Sequence, residues 1–105
     1  MHFSYLLVGG DARQEYLLSL LTSAGKSAEG IFIKTEENED EALKKIENAD
    51  IVILPIPSST DGKFLFAPNC ENKILLTSIT KRIKEKTVLF TGGENSAFTA
   101  AKAKI

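Results

Sequence analysis

Short apolar runs alternate along this chain with stretches whose apolar residues recur three and four positions apart. Phe3 to Val8 (Phe-Ser-Tyr-Leu-Leu-Val) reads as a buried strand closed by Gly9-Gly10. From Asp11 to Ala24, the residues Leu17, Leu20, Leu21 and Ala24 fall on one helical face, with Asp11 placed to cap the helix and Gly25 to stop it. Gly30 to Lys34 reads as a second short strand. The run from Glu36 to Glu41, acidic but for Asn38, leads into a helix with Ala42, Leu43 and Ile46 turned inward. Backbone dipoles favour carboxylates at a helix start, so capping accounts for that acidic run.

Asp50 to Leu54 is nearly all β-branched or leucine, the pattern of a strand covered on both faces. Pro55-Ile56-Pro57 breaks it, and Ser58 to Gly62 forms a loop. Lys63 to Phe66 and Lys73 to Leu76 pair as a hairpin insert around Pro68 to Asn72, the least regular part of the pattern. A short helix over Ser78 to Lys84 turns Ile79 and Ile83 inward, and Thr87 to Thr91 is another buried strand ended by Gly92-Gly93. A last helix starts near Asn95 and runs to Ile105 with only Ala97, Ala100 and Ala101 as a thin apolar face. So weak an ending predicts one domain, residues 1–105, taken from a longer protein. Strands alternating with helices give an α/β fold, with a parallel sheet and right-handed crossovers. The expected architecture is a three-layer αβα sandwich, flavodoxin-like or half-Rossmann, with strand order 2-1-3-4 and the small insert hairpin.

Composition narrows the function classes. The 105 residues carry 13 basic and 14 acidic side chains, a formal charge of −1, which lacks the basic footprint of sequence-independent nucleic-acid binding. The richest apolar run, Ile51 to Ile56, falls far short of the roughly 20 residues that span a bilayer. No basic stretch precedes Phe3 to mark a signal peptide, and Cys70 is the single cysteine, which removes an internal disulfide and a cysteine zinc cluster. A cytoplasmic chain with neither nucleic acid nor membrane as partner is the expectation.

Ligands of open parallel sheets bind at the carboxyl ends of the strands, near the point where strand order reverses. Three segments are expected to meet there: Gly9 to Gln14, Pro55 to Thr60, and Thr91 to Ser96. The first resembles a phosphate-binding turn, but Gly-x-Gly-x-x-Gly is absent and Asp11 stands where an anion would sit. Arg13, in the first helical turn, has the fork to pair a carboxylate bidentately. The plainer alternative stays open: a tight turn, a capping aspartate and a solvated arginine. Ser58, Ser59 and Thr60 offer hydroxyls or simply a turn, and Ser96 offers a ligand or a cap. His2, the sole histidine, stands at the N-terminus and supports neither a triad nor a metal site. Cys70 reads as a packing residue, the Lys73 to Lys86 basic stretch as a solvated face, and Phe64 and Phe66 as either core or a contact patch.

Gly9-Gly10-Asp11-Ala12-Arg13-Gln14 directly after a first strand resembles the N-terminal signature of the dipicolinate synthase A-subunit family. Asp50 to Pro55 followed by a Ser/Thr loop with Gly62, then Val88 to Gly92 followed by Asn95 and an alanine-rich stretch, fit the same order along essentially the whole chain. The glycine-aspartate run is fairly specific; the other two are α/β punctuation made informative by their order.

The resemblance implies a two-domain cytoplasmic oxidoreductase of spore-forming bacteria. Such an enzyme makes dipicolinate from a dihydrodipicolinate-type precursor and works with a flavoprotein-like B-subunit of dipicolinate synthase. The resemblance also implies a second, Rossmann domain that holds NAD(P). That domain is missing from these residues, so this chain alone is expected to bind no cofactor productively and to be inactive. Its expected partners are a small dicarboxylate substrate, its own C-terminal Rossmann domain and the B-subunit. The substrate-side set is Gly10, Asp11, Arg13, Ser58, Thr60 and Asn95, with Arg13 on a carboxylate, Asp11 foremost a cap, and no general acid or base identified. The alternative is a non-catalytic, flavodoxin-like binding or subunit-interaction module. A phospho-acceptor receiver is disfavoured because Gly9-Gly10 and Pro55-Ile56-Pro57 stand where its acidic residues belong.

Overall fold

The structure, a computed structural model, describes residues 3–33, 38–56, 59–70 and 73–91. Strand β1 (Ser4–Val8) is followed by helix α1 (Ala12–Ser23), β2 (Ser27–Ile31), α2 (Glu39–Asn48), β3 (Ile51–Ile53), α3 (Leu76–Thr80) and β4 (Val88–Phe90). The strands lie in the order β2-β1-β3-β4, all parallel, as the alternation of elements predicts.

Period-two alternation divides the sheet into two faces. Leu6, Val8, Ile31 and Val52 point one way and pack with Ala42, Leu43 and Ile46 of α2 and with Leu76 and Ile79 of α3. The three α2 residues are the ones its periodicity turns inward, and Asn38 caps the helix by accepting from the Glu41 amide at 3.0 Å. Each such buried aliphatic side chain contributes about 1.5–3 kcal/mol over an exposed one, so this layer carries most of the core. Helix α1 covers the other face: Gly30 pairs with Leu7 in register, and a Cβ built on it comes within 3.2 Å of Leu18.

Four expected elements are corrected. The second strand is Ser27–Ile31, not 30–34. Its exposed Ser27 and Glu29 hide it from an apolar search because β2 is an edge strand. Phe32, at φ 56°, turns the chain inward, so Ile31, Phe32 and Ile33 are buried together without prolonging the strand. Helix α1 buries Gln14 and not its leucine stripe: Leu17 and Leu21 are half-buried, Leu20 is 48% exposed and Ala24 is exposed. Helix α3 begins at Leu76 and ends at Thr80, although Ile79 and Ile83 are both buried as expected. Strand β4 is half-exposed, with Val88 and Phe90 open to solvent, because it forms the far edge of the sheet. The helix expected over residues 95–105 lies outside the described residues.

The insert pairs as expected, on a small scale. Phe64 and Leu75 form one antiparallel bridge, with the Leu65 amide donating to Ile74 (2.8 Å) and the Leu76 amide to Lys63 (3.0 Å). Leu65 and Ile74 join the core below, and the Gly10 amide donates to the Phe66 carbonyl at 2.7 Å. The insert therefore lies across the turn that follows β1.

Candidate functional site

Gly9 (φ 69°) and Gly10 (φ 95°) occupy backbone conformations that L side chains rarely adopt. A Cβ on Gly9 comes within 2.7 Å of Leu65, and one on Gly10 collides with Gln14 and stands 3.0 Å from Pro55. The close approach that these glycines permit is thus to the chain's own insert and to α1. The Gly9 amide donates to Ile31 and the Gly10 amide to Phe66, so neither N–H faces outward for a ligand.

Asp11 caps α1 by accepting from the Arg13 amide (3.0 Å), and the same carboxylate takes Arg13 Nε and Nη2, each at 3.1 Å. Those side-chain bonds to Arg13, with the amide bond after them, hold the Asp11 carboxyl below its ordinary range; the same pairing raises the Arg13 guanidinium. Nη2 also donates to the Ile56 carbonyl at 2.7 Å, which ties the start of α1 to the loop after β3. Gln14 strengthens that tie: it is 6% exposed, and its Nε2 donates to the Ile53 carbonyl at 3.2 Å. Sequence reasoning passes Gln14 over; its signal is a polar residue one turn past the cap on the side facing the strand ends.

Between these elements opens a hollow of 220 Å³, walled by Asp11, Arg13, Gln14, Leu54, Pro55 and Ile56. Its wall combines a proline-stiffened apolar side with a guanidinium whose side chain is 68% exposed. Such a wall can pack an apolar group while the exposed guanidinium meets an anionic one.

Thr60 lies elsewhere. With Asp61, Phe64, Phe66, Cys70 and Lys73 it lines a separate hollow of 360 Å³ in the insert. Asp61 Oδ1 accepts from the Lys63 amide (2.8 Å), the Phe64 amide (2.9 Å) and the Ser59 hydroxyl (3.0 Å). These bonds, led by those of Phe64 and Lys63, lower its carboxyl to about 2. Lys63 and Lys73 each place Nζ 5.3 Å from the Phe64 ring centre, and half-buried Cys70 packs against the core. Of the six residues expected at the substrate side, the structure lines the hollow with Asp11 and Arg13, sets Gly10 behind it with its amide held by Phe66, puts Thr60 in the insert hollow, and leaves Ser58 and Asn95 outside the described residues.

A third hollow, of 320 Å³, sits at the amino ends of β1 and β2 beside Ser4, Ser27, Glu29 and Lys45, with Lys45 Nζ 3.2 Å from Glu29. Parallel-sheet ligands bind at the other end of the strands, so its size does not make it the functional site. In the basic stretch, Arg82 pairs with Glu47 at 2.9 Å and Lys81, Lys84 and Lys86 are exposed, in keeping with a solvated face. Among the described residues no three His, Cys, Asp or Glu side chains gather to hold a metal ion, and no helix is long and apolar enough to cross a membrane. The β1 turn does not fit a dinucleotide: its glycine amides are engaged within the fold, and the Asp11 carboxylate takes the anion position at the helix start.

Residues 4–104 match the family of dipicolinate synthase A-subunit N-terminal domains. The structure is similar to that of the dipicolinate synthase A-subunit from Bacillus halodurans (TM-score 0.74, 17% identity), covering 99% of this chain and 39% of that one. It is also similar to the A-subunit of dipicolinate synthase from Bacillus subtilis (TM-score 0.76, 20% identity), covering 98% of this chain and 37% of that one. The chain thus spans about two fifths of the length of each solved relative. No curated protein matches the sequence.

Proposed function

Because this chain belongs to the family of dipicolinate synthase A-subunit N-terminal domains, we propose that it forms the substrate-side wall of an oxidoreductase that converts a dihydrodipicolinate-type precursor into dipicolinate during sporulation. The observation that carries the reading is the hollow at the carboxyl ends of β1 and β3, with Arg13 at its rim. The pyridine ring lies against Pro55 and Ile56, and one ring carboxylate meets the Arg13 guanidinium. Of the remaining candidates, Ser58 and Asn95 are the hydrogen-bonding residues of this reading, and Thr60, which lines the separate insert hollow, is left out of it.

NAD(P) belongs, in this reading, to a Rossmann domain in the rest of a longer cytoplasmic polypeptide, which closes the cleft from the other side. The B-subunit of dipicolinate synthase is its protein partner. This chain by itself is then inactive, and its role is to hold and orient the dicarboxylate.

Steady-state kinetics of the full-length enzyme test the assignment. Arg13→Ala is expected to lower kcat/KM by roughly 10–100-fold, the effect of one strong charge-assisted bond. Kinetics unchanged within about twofold would remove Arg13 from the substrate site.

A non-catalytic interaction module is the second reading, favoured by the solvent-facing Val88 and Phe90 on the sheet edge. In that case Phe90→Lys weakens association with the B-subunit in sedimentation while Arg13→Ala leaves turnover intact.

A further inference from the structure

The Arg13 guanidinium carries five N–H bonds in a rigid plane. Nε donates a hydrogen bond to Asp11 Oδ1, while Nη2 donates to Asp11 Oδ2 and to the Ile56 carbonyl. The edge that grips a carboxylate in a two-point fork is therefore already holding one. Nη1 makes no hydrogen bond among the described residues. Asp11 is not free to swing aside, because its Oδ1 also accepts from the Arg13 amide and caps α1.

Resting on the substrate-side reading above, we propose that Asp11 is the specificity-determining residue of the Arg13 site. It fills the forked edge, leaves an incoming carboxylate a single bond through Nη1, and cancels the guanidinium's charge. A hollow whose one arginine is neutralised in this way has little pull on small anions. It selects a ligand that also fills the apolar wall of Leu54, Pro55 and Ile56. Removing the charge on Asp11 leaves a net positive site in which any compact oxyanion outcompetes the neutral side chain for the fork.

The test is inhibition of the full-length enzyme by inorganic phosphate, compared among the parent, Asp11→Asn, Arg13→Ala and the double variant. Asn keeps a side-chain oxygen for the helix cap, so the substitution removes charge with little loss of structure. Phosphate is expected to inhibit Asp11→Asn at about tenfold lower concentration than the parent, as a freed bidentate arginine predicts. Adding Arg13→Ala to that variant returns the inhibition to the parental level. If Asp11→Asn fails to fold by circular dichroism, Asp11→Ser, which also caps, takes its place in the same comparison. Inhibition within about twofold of the parent in a folded Asp11 variant overturns the proposal. So does increased inhibition that persists without Arg13. Failure of the underlying reading looks different: Arg13→Ala alone then leaves the substrate kinetics unchanged.

Discussion

Gly10 carries three constraints at one position. Its φ of 95° disfavours any side chain, a Cβ there collides with Gln14, and its amide is held by Phe66. Gly10→Ala is accordingly expected to destabilise the fold by more than the ~1 kcal/mol of an ordinary strained glycine replacement, measured by urea unfolding. Gly25→Ala, also at positive φ but facing open space, is expected to cost only the backbone strain of about 1 kcal/mol. Asp61 offers a pH test. Its folded carboxyl, near 2, lies below the usual 3.8, so its contribution is full above about pH 4 and lost as the pH falls through about 2. Following the Lys63 and Phe64 amide resonances through acid should show a titration near 2; a midpoint near 3.8 would contradict the turn geometry. At this scale the sequence is informative about residue type and silent about partner. It marks Asp11 as a cap and Arg13 as a fork, but that each satisfies the other, and that the glycines make room for the insert, depends on contacts between distant segments.

Packing separates the helices more sharply than their apolar spacing does. Ile46 of α2 is fully buried, whereas Leu20 of α1 is 48% exposed. Ile46→Ala is expected to cost about 2–5 kcal/mol, and Leu20→Ala no more than ~0.5 kcal/mol, in the same unfolding measurement. Comparable losses at both positions would mean that α1 buries the leucine stripe its sequence suggests. The element pattern is legible where both strand faces are covered, as at Val52 and Leu6, and where a helix has a strong polar side, as in α2. It misleads at the sheet margins. Strand β2 alternates exposed Ser27 and Glu29 with half-buried residues, and β4 exposes Val88 and Phe90. An edge strand does not need the apolar run by which a central strand is recognised.

On the scale of the whole molecule, strand order determines where chemistry sits. Since β1 lies between β2 and β3, its carboxyl end marks the reversal point, and the hollow beside Arg13 joins the start of α1 to the β3 loop there. That convergence of Gly9 to Gln14 with Pro55 and Ile56 follows from the topology and is readable in the sequence. The division between this hollow and the one lined by Thr60 is not, because the insert's path over the β1 turn is a long-range matter. The family match makes the chain a member of the dipicolinate synthase A-subunit N-terminal domains, and the substrate-side role is the central claim built on it. A crystal structure of the full-length enzyme soaked with dipicolinate tests it most directly. A ring carboxylate oxygen is expected about 2.7–2.9 Å from Arg13 Nη1, with the ring against Pro55 and Ile56. Dipicolinate seated in the Phe64 and Lys73 hollow, or held wholly outside this domain with Arg13 bound only to Asp11 and Ile56, would contradict the account.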